Sequence, residues 1–127
     1  MKNEFTYRDL MFRAWSTKKN EFLAIGFHII GETTLFDLLN QHRIEELDTI
    51  HIQQFTGCVD KTGKDIYEGD LVEHSSGTIC NGKYGEVIFA TGCWMVMDDE
   101  GALDKTVFEN AGNLTVVGNI FQGSPNS

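Results

Sequence analysis

The sequence predicts a mainly-β protein with one helix, and three observations carry that prediction. Thirteen glycines punctuate the 127 residues, while the only proline is Pro125. Between positions 57 and 118 the glycines recur at the short intervals of turns joining antiparallel strands. The runs between them are β-branched and aromatic, and residues 49–55 (TIHIQQF) alternate in polarity as a half-buried strand does.

The elements follow in order. LMFRAW at 10–15 reads as a strand, STKKN at 16–20 as a polar turn, and EFLAIGFHII at 21–30 as a returning strand. The second run is too uniformly apolar for its faces to be assigned by alternation. A helical insert is expected within 31–48. The hydroxyl of Thr33 or Thr34 can cap it, Asp37 lies near its positive end, and Leu35, Leu38 and Leu39 share one face. From residue 48 onward the pattern is β. Short strands are expected at 64–67 and 71–73. A hairpin is expected over 85–97 around Thr91-Gly92, and strands at 106–108 and 114–121. Residues 123–127 read as a frayed tail. No repeat or linker divides the chain, so a single domain is expected.

Charge and composition narrow the function classes. The net charge is −9. Residues 1–34 carry five basic and four acidic side chains, and residues 35–127 carry five and fifteen. An acidic field repels phosphate backbones, so nucleic acid is not an expected partner; a basic protein surface is. No apolar run reaches membrane-spanning length, and the acid-bearing N-terminus has no signal-peptide core. Cys58, Cys80 and Cys93 are odd in number and widely spaced. They imply no disulfide framework, and the expected location is a reducing cytoplasm.

The stretch TGCVDKTGKDIYEGDLVEH (56–74) concentrates the chemistry-bearing residues. Asp60, Asp65, Glu68, Asp70 and Glu73 do not form a convergent pair for acid–base work, because alternation splits them between strand faces. Turn chemistry explains them better. Asp60-Lys61-Thr62-Gly63 suits a β-turn with glycine in the left-handed position, and Glu68-Gly69-Asp70 suits a second tight turn. Gly69 is expected at positive φ, and Asp70 to accept backbone N–H bonds of its own turn. Cys58, His74, Cys80 and Cys93 lack the close spacing of a zinc site, and no calcium loop is present. No metal or other cofactor is expected. Cys58 and His51 carry no nucleophile signature, and phosphate-loop and serine-hydrolase motifs are absent. The aromatic residues in apolar runs, Phe89, Trp94 and Phe108 among them, read as core. Tyr67 is the exception: Lys61 and Lys64 precede it, and it is the candidate for base stacking. The candidate binding residues are therefore Lys61, Lys64, Tyr67, Glu68, Gly69 and Asp70.

Four blocks in order resemble the YopX family of phage and prophage proteins. They are MFRAW (11–15), QQFTGCVDKTGKDIYEGDLV (53–72), GEVIFATGCWMV (85–96) and VVGNIFQ (116–122). Cys58 stands where leucine is usual. The resemblance implies a mainly-β, partly open barrel with SH3-like features in the C-terminal half, and no established catalytic residue, cofactor or substrate. It implies a phage accessory protein in the bacterial host cell. A non-enzymatic module that binds a host or phage protein is the expectation. An acidic DNA mimic and a small nucleic-acid-binding barrel using Tyr67, Lys61, Lys64 and Lys83 stand as alternatives. A hydrolase using the acids or Cys58 is a third class. Self-association is a route for covering edge strands.

Overall fold

The structure is a computed structural model that describes residues 10–28, 37, 40–41, 47–79 and 82–123. The chain divides into two compact units, Met1–Phe55 and Thr56–Ser127. No linker composition marks the boundary, because strand β3 (Ile50–Val59) runs through it. The described strands form antiparallel sheets with no closed barrel. The helix expected within 31–48 lies largely outside the described residues, as do Cys80 and most of the tail. Asp37, Asn40 and Gln41, the described positions of the insert before residue 47, are helical and exposed.

In the first unit, β1 (Met11–Ser16) and β2 (Glu21–His28) form a hairpin. Ser16 Oγ accepts from the Lys19 N–H at 3.0 Å, and Asn20 takes the left-handed conformation that closes the turn. The register places Leu23 and Gly26 as extra residues opposite β1. These two bulges interrupt the period of two, which is why alternation could not assign the faces of this strand. Residues 50–54 of β3 pair with the other edge of β1. Arg13 is buried there: its Nε donates to Gln53 Oε1 at 2.8 Å, and its guanidinium lies 4.7 Å from the centroid of the Phe22 ring. Trp15 packs edge-on against the same ring at 4.8 Å.

In the second unit the rest of β3 pairs with β4 (Asp65–Tyr67). A five-stranded sheet follows from β5 (Asp70–His74), β6 (Tyr84–Ala90), β7 (Cys93–Met97), β8 (Leu103–Thr106) and β9 (Leu114–Asn119), in the order β8-β7-β6-β5-β9. It is a four-stranded meander whose first strand also pairs with the last. Ile66, Val72, Ile79, Val87, Val96, Val107 and Leu114 form its core, each fully buried. Each burial contributes about 2 kcal/mol of transfer free energy. Cys58 and Trp94 pack against this cluster.

One expected strand is not one. Residues 107–110 form a single helical turn, α1 (Val107–Asn110), followed by a 3-10 turn at Ala111–Asn113. Thr106 and Glu109 make a capping pair: Thr106 Oγ1 accepts from the Glu109 N–H at 3.3 Å and donates to Glu109 Oε1 at 2.8 Å. That local chemistry outweighs the strand propensity of Thr-Val-Phe.

The Thr91-Gly92 hairpin forms as expected between β6 and β7, with φ of 53° and 86° at its two central residues. This is the left-handed pair of a type I′ turn, which a β-branched threonine adopts at a cost. Thr91→Asn is expected to stabilise the second unit by about 0.5–1 kcal/mol, read as a raised urea midpoint at unchanged slope.

Candidate functional site

The second unit is built on one turn used three times. Asp60 begins the first. Its N–H donates to Lys64 O at 2.8 Å, and its carbonyl accepts from Gly63 N at 3.0 Å. Its Oδ1 accepts from Thr62 N, Lys64 N and Thr62 Oγ1 at 2.7–2.9 Å. Asp98 begins the second, with the same ring: Asp98 N to Ala102 O, Gly101 N to Asp98 O, and Glu100 N and Ala102 N to Oδ1. His74 begins a shorter version, where Ser76 N donates to Nδ1 and Gly77 N to His74 O. Gly63, Gly77 and Gly101 occupy the left-handed position at φ between 90° and 96°.

The Asp60 turn also reaches β9. Val116 N donates to Asp60 Oδ2 at 2.9 Å, and Lys61 N donates to Leu114 O at 2.9 Å. Burial pushes the Asp60 carboxyl up. The bonds from Val116, Thr62 and Lys64 outweigh that and hold it down at about 2, from 3.8. Asp60 is 4% exposed.

The following turn is tied on both sides as well. Gly69 has φ of 85°, its N–H donates to Val87 O at 2.8 Å, and its carbonyl accepts from Ile120 N at 2.9 Å. Asp70 Oδ2 accepts from Tyr67 N at 2.8 Å within the same turn. Both expectations for this turn hold. Thr56 Oγ1 donates to Ile66 O, fixing β4 to β3. The acid-rich stretch is thus the junction where β4, β5, β6 and β9 are tied together.

The candidate residues are placed as follows. Lys61 and Lys64 are exposed on the Asp60 turn, Glu68 is half-buried, and Gly69 and Asp70 are buried. Asp65 is exposed while Asp70 is buried, so these carboxylates do not meet in one pocket. Tyr67 is 3% exposed and its hydroxyl is buried. It offers no exposed ring for a base to stack on, which corrects its reading as the candidate for base stacking. Glu86, across the ladder from Leu71 and Met97, is raised above the usual carboxylate range by burial and by the nearby Glu68 charge. Cys58 and Cys93 are free and half-buried. Among the described residues no three His, Cys, Asp or Glu side chains are grouped to hold a metal.

The exposed aromatics lie elsewhere. Phe89 is 59% exposed and Phe108 is 84% exposed, against their expected place in the core. Phe89 pairs across the β6–β7 hairpin with Trp94, edge to face at 5.1 Å. Thr106 pairs with Met95, so α1 begins beside Trp94 and brings Phe108 to the same end of the sheet. The reasons are local. Phe89 shares the face of Val87 but lies one pair from the hairpin tip, beyond the core. Val107 turns inward on α1, so its helical neighbour turns out. The capping pair Thr106-x-x-Glu109 was the signal in the sequence that places Phe108 outside.

The YopX protein family model matches residues 11–126, nearly the whole chain. The chain belongs to the YopX family. The acid-rich stretch at 56–74 is a structural junction and not a convergent acidic site. Among solved structures the chain is similar to protein EF1440 from Enterococcus faecalis, with a TM-score of 0.57 and 18% identity over 88% of this chain and 93% of that one. At that identity the likeness bears on the fold alone. No curated protein matches the sequence. No helix among the described residues is long and apolar enough to cross a membrane.

Proposed function

We propose that this YopX-family chain is a phage- or prophage-associated, non-enzymatic module that binds a host or phage protein in the bacterial cytoplasm. The carrying observation is the aromatic end of the second unit. Phe89 stands in solvent against Trp94, and Phe108 stands in solvent on α1, which begins at the same end of β7. Clustered exposed aromatics are the usual anchors of protein interfaces. Eleven acids against four lysines in residues 56–127 give this unit a negative charge, which favours a basic partner. The order β8-β7-β6-β5-β9, with a 3-10 turn before the last strand, supports an SH3-like reading of this unit. Phe89→Ser and Phe108→Ser are expected to weaken partner capture from host lysate at least tenfold while circular dichroism stays unchanged. Capture that is indifferent to both substitutions would overturn this assignment. The same acidity favours a DNA-mimic reading second. That reading requires affinity to fall steeply between low and physiological salt, whereas an aromatic-anchored interface holds its affinity.

A further inference from the structure

The Asp60 and Asp98 turns are the same device with different loads. At Asp60, Oδ2 and the next N–H grip one strand: Val116 N donates to Oδ2, and Lys61 N donates to Leu114 O. These contacts come from residues two apart on β9, the spacing at which one edge of a strand presents a carbonyl and an N–H. The His74 turn uses half of the device, Ser75 N donating to Asn113 O at 2.8 Å. At Asp98 the internal ring is complete. Yet Asp98 Oδ2 is buried with no donor, and the Asp99 N–H has no acceptor among the described residues. Asp98 is 2% exposed, so the missing donor is not supplied by bulk water.

We propose that the Asp98 turn is a clamp for the backbone of an extended segment from a partner protein. Asp98 Oδ2 takes an N–H of that segment, and Asp99 N–H gives to the carbonyl two residues earlier. This rests on the protein-binding function proposed above and gives it a second contact. Two observations set the chemistry of the occupant. The pattern at Asp60 shows that this oxygen, in this turn, accepts a backbone amide. The exposed carboxylates of Asp99 and Glu100 then select lysine-bearing segments. A metal ion fits less well, since the neighbouring acids do not group around one point and a cation leaves Asp99 N–H unused. Oδ2 is buried in this structure, so seating a strand there requires the atoms that cover it to move aside.

The test is a titration of the full-length, ¹⁵N-labelled chain with a ten-residue peptide of alternating lysine and valine, followed by amide NMR. The Asp99 amide is expected to shift downfield and gain exchange protection as the peptide binds. A peptide of the same charge with alternate amides N-methylated, so that the gripping edge cannot donate, is expected to leave it unmoved. Asp98→Asn keeps an oxygen for the turn and presents an amide NH₂ to the segment; it should weaken binding at least tenfold. An Asp99 amide that does not move at saturating peptide would overturn the clamp. So would equal binding of the N-methylated peptide, which needs no variant to fold. Binding that survives Asp98→Asn but is lost in Phe89→Ser/Phe108→Ser would overturn the clamp and leave the aromatic interface standing.

Discussion

Asp60→Asn is expected to destabilise the second unit by about 2 kcal/mol at pH 7. The substitution keeps one oxygen for Thr62 and Lys64 but turns an NH₂ toward the Val116 N–H. Two donors then face each other where one bond existed, and of the two bonds between the turn and β9 only Lys61 N to Leu114 O is left. The depressed carboxyl, held down by these same bonds, gives a magnitude of the same order. A fall from 3.8 to about 2 corresponds to about 2 kcal/mol favouring the folded, ionised form. Its sign sets the pH dependence. The native state binds this proton less readily than the unfolded state, so the contribution is complete above pH 3.8 and is lost as pH falls toward 2. The gap between the two proteins should therefore close across that window. Urea unfolding at pH 7 and at pH 2.5, in a Trp15→Phe background where Trp94 reports on the second unit, measures both. An equal gap at the two pH values would mean that the carboxylate is not the source of the stability.

Gly85→Ala is the second large effect, an expected loss of about 2–3 kcal/mol. Gly85 does not have positive φ, so backbone preference alone would make alanine the better strand residue. Space decides the sign. A Cβ there would lie 2.6 Å from Met97 O, 2.8 Å from Val96 Cγ1 and 3.1 Å from Ile79 Cγ2. The first is backbone of the paired strand, so relief requires β6 to move off β7 at the centre of the core. Gly112→Ala is the control. Nothing stands within 4 Å of a Cβ at that position and φ is not positive, so its stability should stay within about 0.5 kcal/mol of the parent. A Gly85→Ala protein as stable as the Gly112→Ala protein would show that the β6–β7 contact yields without cost.

The turns were legible because their chemistry is local. Asp60-Lys61-Thr62-Gly63, Glu68-Gly69-Asp70 and Thr91-Gly92 each carry in four residues or fewer the side-chain acceptor or the left-handed glycine that their geometry needs. The side-chain environments were less legible. Ile66 and Tyr67 are adjacent on a three-residue strand, and both are buried. Alternation assigns one of two neighbours to solvent, and it fails where both faces of a short strand are covered. In β2 the two bulges shift the register and erase the pattern. In α1 a capping pair converts an apparent strand into a helical turn and carries Phe108 outward.

The amino-acid sequence by itself determined the β class, the hairpin turns, the acidic balance and membership of the YopX family, since all of these rest on composition or on contiguous motifs. Tertiary structure alone decided that Tyr67 is buried, and which of two like turns holds a strand. Asp60 and Asp98 begin loops with the same internal bonds, and no local rule distinguishes them. Val116, 56 residues from Asp60, satisfies one carboxylate; the other has no such donor among the described residues. Chain-distant contacts make that difference, so it is written in the fold and not in either turn.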